Sequence, residues 1–315
     1  HPEPNFGAAM LHLLQGQLKT GFAEYEWRWK VRKLALYRSP ATAPHWDGTR
    51  DLAGKRMLLY ADQGIGDTIQ FVRFAKMVAA LGADVVIQVQ PQLVDLLAVG
   101  LGVGRTIGVN APAPEVDLQC ALSSLPLLFG VDSSFVPNEV YLHPPQDRVE
   151  HWRAKLADYK RPRIAIHWAG NPRYGKDHER WILLPRMLPI AQLEGFDFFG
   201  LQYDLRPGDR EILDATPAIR YIGDQLGPIV DTAAVISLMD VVITSDTAFT
   251  HFAGAMGRMA WLALQFLPDW RWQLQRSDSP WYPTVRIFRQ QRRGDWEGVI
   301  GEICDELKTA FPTAR

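Results

Sequence analysis

The sequence predicts an α/β protein of two doubly wound parallel-sheet domains facing a cleft, with a short helical segment in front. Three observations predict it. From Arg56 onward, short apolar strand segments alternate with helical ones, the order that yields a parallel sheet with helices on both faces. Pro137 to Pro145 interrupts that order. A second alternating series then starts at Arg163.

Each element has its own signal. Residues 5 to 33 read as two helices, with Ala8, Leu11 and Leu14 on one face, a turn at Gly16, and Phe22, Tyr25 and Trp29 at helical spacing. The spacing of Gly16, Gly21, Phe22 and Tyr25 is that of one degenerate tetratricopeptide unit, and equally that of a plain helical hairpin. A single unit cannot bury its own face, so it must dock on the rest of the chain or on repeats outside this sequence. Residues 38 to 54 are rich in proline, glycine and polar residues and form a connector. The first series predicts strands at Arg56–Tyr60, Val85–Val89 and Asp117–Cys120. Its helices fall at Thr68–Leu81, from Pro91 and near Leu122–Phe129. The second predicts strands at Arg163–Trp168, Phe196–Gln202, Asp240–Thr244 and Ala260–Phe266. Its helices fall at Leu184–Ala191, Asp231–Met239 and Thr247–Met256, and an amphipathic helix closes the chain from Val299 to Phe311. The expected division is 1–45 helical, 50–147 N-terminal domain, 148–298 C-terminal domain and 299–315 closing helix.

Composition sets bounds. At 315 residues the chain holds about two domains. Hydrophobic residues make up 47% and charged residues 22%, a globular profile. The net charge of -1, from 34 basic and 35 acidic side chains, carries no overall footprint for nucleic acid. Cys120 and Cys304 are the only cysteines. They make neither a metal cluster nor a disulfide framework, which fits a reducing, cytoplasmic setting. No apolar run reaches the roughly 18 residues of a membrane helix. No signal peptide opens the chain, which starts at His1 rather than Met, as a trimmed sequence would.

Four segments carry chemistry. Gln63-Gly64-Ile65-Gly66-Asp67 lies between a strand and a helix. Its glycines permit a tight turn and a close ligand, but the third glycine of a dinucleotide fingerprint is missing, which excludes an NAD site. Asp67 also suits a helix cap. His167-Trp168-Ala169-Gly170-Asn171-Pro172 ends a strand, and Lys176 and Arg180 follow. Those two cations suit a diphosphate or a solvated loop. Ser245-Asp246-Thr247 precedes a helix thinned by Ala248, Ala253, Gly254 and Ala255. Its first N–H groups suit phosphate. The same residues are those of a well-capped buried helix with His251 satisfied internally. Last comes an aromatic tail: Asp269-Trp270-Arg271-Trp272, Ser279-Pro280-Trp281-Tyr282-Pro283 and Gly294-Asp295-Trp296. Its aromatics suit core anchors first and sugar stacking second. No Ser-His-Asp triad is assignable, for want of a G-x-S-x-G elbow.

These segments, with Asp231-Thr232-Ala233-Ala234, occur in an order that resembles the bacterial tetratricopeptide-repeat glycosyltransferases from about residue 5 to the end. The C-terminal part of those proteins is similar to heptosyltransferase-type enzymes of the GT-B fold, with two Rossmann-like domains. The resemblance implies that Asp67 is the catalytic base for the acceptor hydroxyl. It implies a donor-phosphate loop and helix of Asp246, Thr247, Ala248 and His251, and an opening loop of Gly170, Asn171 and Lys176. Gln202 ends a strand near the nucleotide, and Gly64, Gly66 and Trp168 complete the donor-binding set. The last helix would pack back on the N-terminal lobe. Three residues depart from the family pattern. Ala248 stands where a glycine usually follows the Asp-Thr pair. Gly257-Arg258-Met259-Ala260 lacks the usual proline. Trp181 replaces a serine after the arginine matching Arg180. They bear on donor identity more than on fold.

The implied activity is inverting, metal-independent transfer from a nucleotide-sugar donor, with no cofactor, to an acceptor protein such as flagellin or to a glycan. No nucleic acid and no membrane span are expected. A non-catalytic binding module of the same fold and a sugar-nucleotide epimerase are the alternatives.

Overall fold

The computed structural model describes residues 1–34, 36–172, 175 and 177–312. It divides into two compact units. Unit 1 is His1–His143 with Asp269–Gln275, and unit 2 is Pro144–Pro268 with Arg276–Arg315. The chain thus leaves unit 2 after Pro268, supplies seven residues to unit 1, and returns at Arg276.

Unit 1 opens with a hairpin of α1 (Pro2–Leu14) and α2 (Leu18–Tyr25), followed by a 3₁₀ turn at Glu26–Lys30. Gly16, at φ +79, makes the turn between the helices. The helices touch closely at Gly21, where a Cβ would strike the Leu13 side chain. The sheet has the order β3-β2-β1-β4, all parallel, with β1 Arg56–Tyr60, β2 Asp84–Val89, β3 Arg105–Gly108 and β4 Leu118–Ala121. β1 and β2 are buried along nearly their whole length, as strands covered on both faces must be. The expected helix at 68–81 starts earlier and is split into α3 (Ile65–Phe71), a 3₁₀ turn (Val72–Phe74) and α4 (Ala75–Ala80). At the break the Gln70 carbonyl accepts from Arg73 Nε at 2.6 Å. α5 (Val94–Gly100) and α6 (Leu125–Leu128) complete the layer. The connector runs beside β4. His45 bridges Gln119, and the Gln119 amide donates to the carbonyls of Ala41 and Ala43 at 2.9 and 2.6 Å. That edge of the sheet is therefore covered rather than left as an open template.

Unit 2 begins with α7 (Gln146–Lys155) and holds a six-stranded parallel sheet of order β10-β9-β8-β5-β6-β7. The strands are β5 Arg163–His167, β6 Asp197–Gly200, β7 Ile219–Tyr221, β8 Val241–Thr244, β9 Ala260–Leu264 and β10 Val285–Arg289. The helices are α8 (Asp177–Arg180), α9 (Leu184–Ala191), α10 (Asp209–Asp214), α11 (Ile229–Ser237), α12 (Ala248–Ala255) and α13 (Trp296–Ala310). Read from β5, the sheet grows to β6 and β7 on one side and to β8, β9 and β10 on the other, the dinucleotide-fold order. The closing helix is built into the unit 2 core. Trp296, Val299, Ile300, Ile303 and Leu307 of α13 share one buried core with Met187 and Ile190 of α9, inside unit 2. The helix therefore completes the core of its own unit.

Both sheets are parallel and both reverse their winding beside their first strand, between β1 and β4 in unit 1 and between β5 and β8 in unit 2. Ligands of open α/β sheets bind outside the carboxyl ends of strands at such a switch point.

Candidate active site

In unit 2 the switch point lies where His167 and Thr244, register partners, end β5 and β8. His167 Nδ1 lies 3.2 Å from Thr244 Oγ1 and 3.3 Å from Thr247 Oγ1, and the ring stacks on Phe249 at 3.8 Å between centroids. Burial, helped by the Arg180 charge, pulls the His167 pKa down to about 3. The ring is therefore neutral across the physiological range. Thr247 is the N-cap of α12, its hydroxyl accepting from the Phe249 N–H at 3.4 Å. The hydroxyls of Ser245 and Thr250 are fully buried and meet no hydrogen-bond partner among the described residues. Natural proteins rarely leave buried polar atoms unmatched without a reason in function or water.

The β5 exit loop is held from several sides. Gln202 Oε1 accepts from the backbone N–H of Trp168 at 3.2 Å and of Ala169 at 2.9 Å, and its Nε2 donates to the Ala169 carbonyl at 3.0 Å. Arg180 Nη1 donates to the Asp246 carbonyl at 2.7 Å, which ties α8 to the β8 exit. Asp177 pairs with both Arg180 and Arg206, and Arg206 also donates to the Gly170 carbonyl at 2.9 Å. A Cβ on Gly170 would fall 2.5 Å from atoms of Asp177 and Arg180. A side chain there would push Asp177 or Arg180 out of these positions.

The structure therefore brings Gly170, Gln202, Asp246, Thr247 and Ala248 to one end of the unit 2 sheet, with Asn171 exposed in the same loop. Two residues of the expected donor-binding set, Trp168 and Gln202, lie in the interior. Trp168 is wholly buried, its indole N–H donating to Asp209 at 2.9 Å, so it anchors the loop and has no surface for a ligand. Gln202 is likewise buried and bonded to the loop backbone, a brace for the site. His251 Nδ1 lies 2.8 Å from the Tyr282 hydroxyl, the internally satisfied alternative. Tyr282 also explains Gly254, since a Cβ there would strike its ring. Lys176 lies outside the described residues.

Gly64, Gly66 and Asp67 belong to unit 1. Gly64 is the N-cap of α3, and Asp67, at the third helical position, accepts from the Gly64 N–H at 3.0 Å. The helix expected to start at Thr68 behind an Asp67 cap thus starts three residues earlier, and Asp67 closes the cap from inside. Its other oxygen, Oδ1, pairs with Arg271 Nη2. Burial pushes the Asp67 pKa up, Arg271 pulls against it, and Asp269 and Asp62 push it further, so the carboxyl ends above its ordinary value. Sequence reading placed Arg271 among aromatic anchors and gave it no role. It also passed over Arg28, which is buried and bonds Asp62 Oδ2 at 3.2 Å and Ser124 Oγ at 2.7 Å. Among the described residues no group of three or more His, Cys, Asp or Glu is arranged to hold a metal, and no helix is long and apolar enough to cross a membrane. Cys120 and Cys304 are both buried free thiols.

No family model matches the chain. It is 26% identical over 336 aligned positions to the protein FlbA of Caulobacter vibrioides, an alignment covering 96% of this chain and 54% of that protein. The chain thus spans about half the length of this curated relative. In three dimensions it is similar to the glycosyl transferase family 9 structure from Veillonella parvula, with a TM-score of 0.59 and 11% identity, over 85% of this chain and 99% of that one. It is also similar to the ADP-heptose LPS heptosyltransferase II of E. coli, with a TM-score of 0.57 and 13% identity, over 81% and 99%. The strand orders and these likenesses together give the chain the two-domain GT-B fold of heptosyltransferase-type glycosyltransferases.

Proposed function

We propose that the chain is an inverting glycosyltransferase that moves a sugar from a nucleotide-diphosphate sugar to an acceptor hydroxyl. The observation that carries this reading is the mouth of the unit 2 switch point. There the eight-residue helix α12 opens at Thr247, two buried hydroxyls meet no partner among the described residues, and Arg180 reaches the Asp246 backbone. Helix N–H groups and a guanidinium are the groups that receive phosphate oxygens. In this reading the donor phosphates meet Asp246, Thr247 and Ala248 at the opening of α12, with Gly170, Asn171 and Lys176 in the facing loop. His251 supports the helix through Tyr282. The name of the E. coli neighbour includes ADP-heptose, which favours an ADP-linked sugar.

Asp67 is the base in this reading, with Gly64 and Gly66 letting the backbone pass close to a ligand. Its carboxylate takes the proton of the acceptor hydroxyl while that oxygen bonds to the anomeric carbon. The bond from that carbon to the nucleotide breaks, and the nucleotide leaves with the electron pair. General-base help of this kind contributes about 10²–10⁴-fold. The leaving phosphate is stabilised by the α12 N–H groups and the nearby cations, so we propose transfer without a metal. The acceptor is a protein such as flagellin, or a saccharide.

One observation favours a second reading, a non-catalytic binding module: both Asp67 oxygens are already engaged, by Gly64 and by Arg271. Each carboxylate oxygen keeps a second lone pair, however. A thermal-shift panel of nucleotides and nucleotide sugars, ADP-heptose among them, separates the two, since a ligand of the folded state raises the melting point. The expected result is stabilisation by an ADP-bearing ligand, turnover by the wild type in EDTA, and turnover lost in Asp67→Asn with binding kept. Near-normal transfer by folded Asp67→Asn would remove Asp67 as the base. Binding with no transfer or donor hydrolysis would support the module.

A further inference from the structure

The seven residues Asp269–Gln275 are part of unit 1 although the chain on both sides belongs to unit 2. They are built in firmly. Trp270 is buried, edge-on to Phe22 at 5.6 Å, stacked on Phe71 at 6.5 Å and tilted against Tyr25 at 6.3 Å. Tyr25 in turn bonds Gln63, next to Gly64. Asp269 caps the 3₁₀ turn Trp270–Trp272 by accepting from the Arg271 N–H at 3.1 Å. These contacts fix where Arg271 points. Its guanidinium lies over Trp270, with its carbon 4.4 Å from the ring centroid, and every nitrogen of it is used. Nε donates to Gln70 Oε1, Nη1 pairs with Asp269 at 2.8 Å, and Nη2 pairs with Asp67.

We infer that Arg271 is a positioning residue that aims the Asp67 carboxylate and favours its ionised form, and that the N-terminal helices, through Phe22 and Tyr25, are the brace for that arginine. The geometry is that of a counter-ion fixed from outside the element it serves. Asp67 and Gln70 sit on successive turns of α3, and one buried guanidinium spans both. A quarter of the Asp67 side-chain surface stays open, 24%, while that of Arg271 is 9% exposed. So the acid has a face for a substrate proton and the arginine has none. The charged and titratable groups facing Asp67 are Arg271 and Asp269 from the inserted segment, Asp62 from the loop after β1, and Tyr25 from α2. Only Arg271 among them favours the ionised form. The single tetratricopeptide-like hairpin is thus joined to the chemistry rather than set apart from it.

The inference rests on the reading of Asp67 as the base, and the test separates the two. The full chain, labelled with ¹³C at aspartate carboxyls, is titrated by NMR, with the Asp67 signal assigned from Asp67→Asn. In Arg271→Gln the Asp67 midpoint should rise by about one pH unit or more, and Arg271→Lys should restore much of it. In Asp269→Asn, which removes a like charge and keeps the capping oxygen, the midpoint should fall. This second variant gives the answer if Arg271→Gln does not fold. An Asp67 midpoint unmoved in the folded Arg271→Gln or in Asp269→Asn overturns the inference, because an arginine that merely packs would change the melting point alone. Turnover of ADP-heptose is then followed against pH. If Arg271→Gln moves the Asp67 titration and the acid limb of kcat together, with KM for ADP-heptose unchanged, both readings stand. If the titration moves and the limb does not, Arg271 still controls Asp67 but Asp67 is not the base.

Discussion

The two switch points of this chain occupy the same place in their sheets and are filled in opposite ways. In unit 1 the exits of β1 and β4 are closed by charge. Asp62 accepts from Ser123 Oγ at 2.5 Å and from Arg28, and Arg28 also holds Ser124 and Glu26. In unit 2 the exits of β5 and β8 hold a neutral histidine, a capping threonine and two hydroxyls with no partner among the described residues. The difference teaches that a switch point is an opportunity, not a site. One is consumed by a side chain from the N-terminal segment. The other keeps unspent hydrogen-bonding capacity at a helix opening.

The largest expected effect tests the filled one. Arg28→Ala leaves Asp62 as a buried charge with its main partner gone. Breaking such a pair from one side costs about 3–5 kcal/mol, measured as the loss in urea unfolding free energy. Because Arg28 reaches Asp62 from the N-terminal segment, the loss should fall on the unfolding of unit 1. A cost below about 1 kcal/mol would mean that the network is surface decoration, and the contrast between the units would collapse.

The next effect concerns the polarity of the open one. His167 is buried and neutral, with its pKa pulled from 6.5 to about 3. The unfolded chain therefore binds a proton there at mildly acid pH while the folded chain does not. Stability contributed by this site is present above pH 6.5 and is lost as pH falls toward 3. The loss is about 1.4 kcal/mol per pH unit, or about 2 kcal/mol from pH 7 to 5. His167→Gln should flatten the wild-type slope of unfolding free energy in that window by this amount. Parallel slopes for the two proteins would place a charged or exposed imidazole at the switch point instead.

The same contrast explains what could be read from the sequence. The central strands were legible because strands buried on both faces must be apolar throughout, as in Met57-Leu58-Leu59 and Val241-Val242-Ile243. Three edge strands, β3, β7 and β10, were missed. They carry Arg105, Arg220 and the pair Arg286 and Arg289, and an edge needs less burial and tolerates charge. Ser245-Asp246-Thr247 was legible as a helix opening because capping is local chemistry, although Thr247 alone is the N-cap. The Asp67–Arg271 pair joins residues 204 apart. No local pattern announces that the chain returns to unit 1 for seven residues. Trp168 and Gln202 lie just past the ends of β5 and β6, where which way a side chain points is decided by packing. The Asp209 carboxylate turns Trp168 inward, and the Ala169 backbone claims Gln202.

The smallest expected change in stability is the sharpest test of the open switch point. A buried hydroxyl that makes no hydrogen bond contributes nothing to folding and has lost its bonds to water. Replacing it with an apolar group of similar shape is therefore neutral or mildly stabilising, within about 1 kcal/mol. Thr250→Val and Ser245→Ala should leave urea unfolding almost unchanged or slightly improved. Their cost should be seen only with ligand present. If these hydroxyls complete the donor-phosphate site, each variant should bind ADP about tenfold more weakly by calorimetry, a change of about 1.4 kcal/mol. Stability and binding would then move independently, which residues that only pack cannot produce. Should both variants lose stability and keep full ADP affinity, the hydroxyls are packing elements after all, and the unit 2 switch point is closed in the same sense as that of unit 1.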